Sequence, residues 1–484
     1  MDMALHCPAC AIDYRIMERH FACPKSAPGA EHVLRQVHRA RPEIELWREA
    51  WADGERGSFR VFRNAFSSHL LAGEQGHLGL LEGINDNLLR FQGLTFEATA
   101  LFAAGPLARA VGHDGLLLAK DETANVAGTN KARHLMGSLL YLEAHRRLTD
   151  SAAKTPLATA GSPDEALGAA VVARAGEYPL HCFMPADVDA EIEDLLRSHG
   201  AFVQKVPRGS GEPGDPCFNA FRQAVQDREF IPFACSGPDN WSSIEGGRSL
   251  GYELAIQLAE TGIRLDHLVL QVGGGAFARA VVESMESCRE WGLIDTLPRF
   301  HAVQPARCFP FVRCHAFLLA HVADAAGLPF ELEYDIDSDP EDEVAILREF
   351  LDEEAGQVAE VASFAASHFA TEEVQQILAR AAAAPAEFMW PWDVATPNNE
   401  GFNPAVATRD WFYLAAGMLR TGGLPVVAAE ETLTAAAGLV SSHTIVSASA
   451  AGAAGLAGLM ALKQQGHVHS ADAACIVLTS LDRS

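Results

Sequence analysis

Short apolar runs alternate with amphipathic stretches along most of this chain. The runs are "GLLLAK" (115–120), "TPLATA" (155–160), "LHCFMP" (180–185), "AFVQKVP" (201–207), "FIPFAC" (230–235), "HLVLQV" (267–272), "FHAVQ" (300–304) and "ACIVLTSLD" (474–482). Each has the length and turn-bounded character of a buried strand. Helical patterns fall between them: residues 164–175, 188–198, "GGRSLGYELAIQLAE" (246–260), "AFARAVVESMESCREW" (276–291) and the small-residue stretch "SAAGAAGLAGLMALKQQ" (449–465). This alternation predicts an α/β protein, with mostly parallel sheets covered by helices. Two regions depart from it. Residues 1–45 form a small cysteine-bearing module, and residues 336–385 read as an acidic helical insertion with a solvated surface. No repeat and no heptad pattern is present.

One predicted helix is apolar nearly all round. In "LLLAKDETANVAGTNKARHLMGSLLYLEA" (116–144), Leu135, Met136, Leu139, Leu140 and Leu142 cover most of the circumference, which marks an interior helix. Gly128, Thr129 and Asn130 form a turn and cap, placing Lys131 in the first turn. The positive end of the helix dipole disfavours an ammonium there. A desolvated, easily neutralised amine is what a Schiff-base lysine requires. A lysine escaping to water from a frayed helix start is the plainer alternative.

A second stretch, "HLVLQVGGGAFARAVVESM", is a strand, three glycines and a helix. Glycines let backbone amides crowd an anion, and the helix N-terminus favours negative charge. The spacing Gly273-x-Gly275-x-x-Ala278 also fits a dinucleotide fingerprint, but that fold places an acid at the end of the next strand. Here that strand ends in Gln304 and Pro305, so a single phosphate fits better than a dinucleotide. A tight turn without a ligand is the alternative.

Composition narrows the partners. The chain has 484 residues and a formal net charge of −26, which argues against nucleic acid and anionic membranes as partners. No run approaches a membrane span and the start lacks a signal-peptide layout, so a cytoplasmic protein is expected. Seven of the ten cysteines are scattered singly in apolar segments and read as small buried hydrophobes. The exception is Cys7-x-x-Cys10 followed by Cys23, with His20 or His32 available as a fourth ligand. The preferred set is Cys7, Cys10, Cys23 and His32, holding a structural zinc; a metal-free remnant of such a ribbon is the alternative.

A lysine opening a helix, followed by a strand–glycine–helix turn, resembles the fold type II pyridoxal-phosphate (PLP) enzymes, and within them the threonine synthase-like branch. "KDETANVAGTNKAR" is similar to the family's Lys-Asp-Glu, small-residue turn and Schiff-base lysine, which assigns Lys131. "GGGAFA" is similar to its phosphate loop, assigning Gly273, Gly274, Gly275 and Ala276. "IEGGRSLGYELAIQL", with Glu245, Gly246 and Glu253, resembles a further signature. "CIVLTS" resembles the strand whose hydroxyl contacts the pyridine nitrogen, nominating Thr479 or Ser480. The resemblance implies two lobes, each with a mostly parallel sheet flanked by helices: 46–150 with 236–484 as the large cofactor lobe, and 151–235 as the small lobe. It also implies a homodimer and an amino-acid substrate.

The family loop Ser-x-Gly-Asn departs here. "TAGSPDEALGAA" keeps Ser162 but places Pro163 at the glycine and Asp164 at the asparagine that meets the cofactor's 3′ oxygen. Proline removes a donor, and an ionised Asp164 would repel a phenolate. Asp164 is therefore expected to face the cofactor ring, either neutral or paired with a cation; a helix N-cap is the competing role. The expected activity is PLP-dependent elimination or replacement at Cβ or Cγ. A dehydratase, deaminase or racemase is the alternative, and a non-catalytic PLP-binding scaffold is the reading from a different class.

Overall fold

A computed structural model describes residues 2–27, 32–207, 215–227, 230–330, 332, 340–390, 392 and 408–483. The strands are β1 (Met3–Cys7), β2 (Ile12–Arg15), β3 (Arg35–His38), β4 (Leu101–Ala103), β5 (Leu117–Asp121), β6 (Leu157–Ala160), β7 (Leu180–Pro185), β8 (Phe202–Val206), β9 (Ile231–Pro232), β10 (His267–Gln271), β11 (Arg299–Pro305), β12 (Pro425–Ala428) and β13 (Ala474–Leu478). Every apolar run named above overlaps one of them.

Three sheets result. A six-stranded sheet runs β12-β11-β10-β13-β5-β4, parallel except for the antiparallel edge pair β4–β5. A four-stranded parallel sheet runs β8-β7-β6-β9. The third, β2-β1-β3, is a small antiparallel sheet at the N-terminus. The fold is thus α/β, with helices flanking the two larger sheets. Strands β10 and β13 are buried along their whole length, as expected where helices cover both faces.

The helix Lys131–Leu148 is interior, as its apolar circumference predicts: from Ala132 to His145 every residue is buried. It crosses the helix Trp241–Thr261 at a glycine contact. A Cβ on Gly137 would lie 2.3 Å from Gly246 Cα, and one on Gly246 would lie 2.3 Å from Arg133 O. Only glycine permits that approach, so Gly246 of the "IEGG" signature packs helices and lies outside the lining of the cleft described below. The other two signature residues are also structural. Glu253 pairs with Lys120 at 2.9 Å and with Arg133, which in turn holds Glu122 at 2.7 Å. Glu245 accepts from the Ser67 hydroxyl at 2.7 Å. Removing one member of such a buried network leaves an unpaired charge, at a cost of about 3–5 kcal/mol.

The acidic stretch corrects one expectation. Residues 336–385 include the helices Pro340–Glu353, Ala355–Ser367 and Glu372–Ala383, while 336–339 lie outside the described residues. They are more than a solvated surface. Leu347, Val358, Val361, Ala365, Leu378 and Ala381 are buried and join the core clusters of the main body. Most of the acidic residues face outward, while Glu343 is buried against Arg313; charge density in the sequence concealed an amphipathic inner face. Helical segments within 67–92, broken at Gly73 (φ +69°), were also missed.

Candidate active site

The C-terminal ends of the parallel strands and the first turns of several helices converge on one cleft of about 230 Å3. Parallel α/β sheets place ligands there, because the strand ends and helix N-termini aim backbone donors at one crevice. The cleft is lined by Lys131, Ser162, Asp164, Gly273, Gly274, Gly275, Ala276, Thr479 and Ser480, so every residue assigned above to the cofactor is brought together.

Lys131 enters from the start of its helix and donates from Nζ to Ser162 Oγ. Among the described residues it is the one lysine lining the cleft. Lys120, the other candidate in the same motif, is fully buried and spent on Glu253, Thr99 O at 2.7 Å and Gln257 at 3.0 Å.

Opposite stands the glycine loop between β10 and the helix Ala276–Glu290. Gly275 adopts φ +92°, and a Cβ there would meet Thr408 Cγ2 at 2.9 Å, so strain and space both demand glycine. Gly274 faces open space, with nothing within 4 Å of its would-be Cβ. Thr408 Oγ1 donates to Gly273 O at 3.1 Å and Asp410 N to Gly274 O at 3.0 Å. These bonds occupy loop carbonyls from behind.

The two nominated hydroxyls separate cleanly. Gln271 Nε2 donates to Thr479 Oγ1 at 2.6 Å, and also to the carbonyls of Gly452 at 3.2 Å and Val477 at 3.3 Å. Two backbone carbonyls fix which end of the Gln271 amide is the donor, so Thr479 Oγ is an acceptor there. Its own proton is left to donate elsewhere. Ser480 instead shares a hydrogen bond with Ser449 at 2.8 Å.

The departing loop is also resolved. Ser162, not Asp164, is the N-cap of the helix Pro163–Ala175, with Pro163 in the first turn where its missing N–H is harmless. Asp164 lines the cleft and is ion-paired with Arg483, whose other nitrogen donates to Ala127 O. The capping role is therefore excluded and the cation-paired role is the one observed. The next residue, Glu165, was not singled out from sequence. It reaches into the cleft and accepts from Cys235 N at 2.7 Å; burial raises its carboxyl above the ordinary range, opposed by Lys131.

Three other residues escaped the sequence reading. Gln271 ends β10 with an amide where only a strand residue was expected. Arg409 lines the cleft, pairs with Asp239 and lies 4.9 Å from the Phe218 ring. Arg483 sits near the chain end. No local pattern marks any of them.

His134 also lines the cleft; burial drives its imidazole down to about 4, so it stays neutral. Gln304 accepts from Phe311 N at 2.8 Å and Val312 N at 3.1 Å. That strand end thus caps the next helix instead of presenting an acid to a ribose, against the dinucleotide alternative.

An amine, a ring of backbone amides at a helix N-terminus and a hydroxyl donor, all in one cleft between two α/β sheets, define a fold type II PLP enzyme. The chain belongs to the family described as "Pyridoxal-phosphate dependent enzyme", whose pattern matches residues 94–389. Solved structures of similar fold include a pyridoxal 5′-phosphate-dependent aspartate racemase (14% identity, 84% of this chain and 96% of that one, TM-score 0.51). Diaminopropionate ammonia lyase from Escherichia coli is another (13% identity, 85% and 90%, TM-score 0.51). At these identities the likeness is one of fold. No curated protein matches the chain. No described helix is long and apolar enough to cross a membrane.

The donor set fits PLP. The open face at Gly274 and the helix N-terminus suit a phosphate, Lys131 suits an aldehyde, and Thr479 suits a ring nitrogen.

Proposed function

We propose that this chain catalyses PLP-dependent elimination or replacement at Cβ or Cγ of an amino acid, in the manner of threonine synthase-like enzymes. The observation that carries this reading is the hydrogen-bond direction at Thr479. Thr479 Oγ accepts from Gln271 and keeps its own proton free to donate toward the cleft; a hydroxyl donating to the pyridine nitrogen leaves that nitrogen unprotonated. Bound PLP supplies an electron sink for the substrate's Cα; an unprotonated ring makes that sink a restrained one, which suits loss of a leaving group.

The chain's own residues then have distinct roles. The amides of Gly273, Gly274, Gly275 and Ala276 hold the phosphate. Lys131 would hold the cofactor through Nζ and, as a free amine, would take the Cα proton. Ser162 Oγ orients that amine. The Asp164–Arg483 pair presents a neutralised carboxylate on the side of the cleft where the family has an asparagine. None of the ten cysteines is disulfide-bonded.

The test is incubation of the PLP-loaded protein with serine, threonine, homoserine and their O-phospho forms. Release of a keto acid with ammonia, or of a replacement product, is expected. Inversion of the α-carbon without either product would favour a racemase. Titration to full PLP occupancy with no turnover of any of them would leave a binding scaffold.

A further inference from the structure

The N-terminal sheet carries chemistry that the cleft does not use. Cys7 ends β1, Cys10 lies in the turn to β2, Cys23 follows, and His32 precedes β3. Their ligand atoms all lie within 4.8 Å of one another, and among the described residues no other group of His, Cys, Asp and Glu donors is gathered this way. Three separations are informative: Cys10 Sγ to Cys23 Sγ at 3.8 Å, Cys7 Sγ to His32 Nδ1 at 3.6 Å, and Cys23 Sγ to His32 Nδ1 at 3.5 Å. A tetrahedral zinc with ordinary bond lengths requires about 3.8 Å between sulfurs and about 3.6 Å from sulfur to nitrogen. Disulfides need sulfurs at about 2 Å. His20 stays outside the group, 3.5 Å from Glu18.

Size points the same way. The apolar core of the module is Met3, Leu5, Cys7, Ile16, Cys23 and Leu34, completed by Tyr141 and Trp241 from the main body. Units below about 40 residues rarely stand without a metal, disulfides or a partner surface.

The module grips three helices, two of which, Lys131–Leu148 and Ala276–Glu290, have their first turns at the cleft. Tyr141 donates to Ile16 O at 2.9 Å, from the helix that Lys131 opens. Trp241 donates from Nε1 to His20 O at 2.7 Å. Arg279, in the helix behind the glycine loop, donates to Leu34 O at 2.7 Å. Its Nη1 holds Asp410 at 2.7 Å, and the backbone of Asp410 donates to Gly274 O. Leu34 is two residues from His32, so a short chain of bonds joins the four donors to the phosphate cradle.

We propose that Cys7, Cys10, Cys23 and His32 hold a structural zinc ion, and that this ion braces the glycine loop through Leu34, Arg279 and Asp410. The bracing rests on the PLP reading; the metal site does not. Metal analysis of the purified full chain should give about one zinc per chain. Cobalt exchanged into that site should show the ligand-field bands of a tetrahedral thiolate centre. His32→Cys should keep the metal and shift those bands, whereas His32→Ala should lose it. Stripping the metal with a chelator should lower the Tm and weaken PLP binding severalfold. Metal-free protein whose three thiols react freely, or a Cys10–Cys23 disulfide in the folded protein, would overturn the site. Unchanged PLP affinity after stripping would overturn the bracing while leaving the site and the PLP reading standing.

Discussion

Two helix N-termini face the same cleft and are furnished in opposite ways. The helix Ala276–Glu290 is preceded by Gly273, Gly274 and Gly275, carries no acid in its first turn, and faces open space at Gly274. The helix Pro163–Ala175 is capped by Ser162 and carries Asp164 and Glu165 in its first turn. The same positive dipole acts at both ends. At the first it remains available for a ligand's anion. At the second the protein's own carboxylates and the Ser162 cap consume it, and Arg483 adds a second cation. A helix N-terminus is thus an anion site only when the sequence leaves it undressed, which glycine does and Ser-Pro-Asp-Glu does not.

The difference can be broken in order of expected effect. Lys131→Ala removes the amine between the two ends. Turnover should fall by several orders of magnitude, and borohydride should no longer attach the cofactor to the chain. A reduced adduct found by peptide mapping on Lys120 would contradict the assignment, as would undiminished turnover.

Gly274→Asp would furnish the open end like the other. Charge repulsion of the phosphate and loss of the close approach should cost several kcal/mol of PLP affinity, with the Tm of the cofactor-free protein little changed. Equilibrium titration of PLP measures it, and unaltered affinity would mean the loop is only a turn.

Arg483→Ala should act next. It leaves Asp164 ionised and without its cation beside the ligand, so PLP affinity should weaken by about 1–2 kcal/mol, the scale of a lost charge-assisted hydrogen bond. Asp164→Asn in the same background should restore most of that loss. If the double variant is no better than the single one, the pair has no electrostatic role at the cleft.

The smallest effect concerns pH. Burial raises the Glu165 carboxyl in the folded state, so folding favours its protonated form. Its contribution to stability is therefore fully present below the ordinary carboxylate range and is lost as pH rises through the elevated value. Glu165→Gln should remove that component, giving a shallower fall of Tm as pH rises above the ordinary carboxylate range than in the parent protein. Parallel Tm profiles would show that folding does not change the protonation of Glu165.

Much of this architecture was legible from the chain alone. The strands β5, β6, β7, β10, β11 and β13, the interior helix opened by Lys131, and the glycine turn at 273–275 are each encoded within a few adjacent residues. Burial periodicity, capping and backbone freedom are local properties, so a contiguous stretch carries them. The donor group Cys7, Cys10, Cys23 and His32 was also nameable, because its residue types are scarce and closely spaced. Other features belong to tertiary structure. Asp164 and Arg483 stand 319 residues apart in the chain, and nothing near either one announces the other. Thr479 and Ser480 both line the cleft just beyond β13, and they differ in their partners: Thr479 meets Gln271, Ser480 meets Ser449. That difference follows from the pairing of β13 between β10 and β5, which brings Gln271 against Thr479 from 208 residues away in the chain.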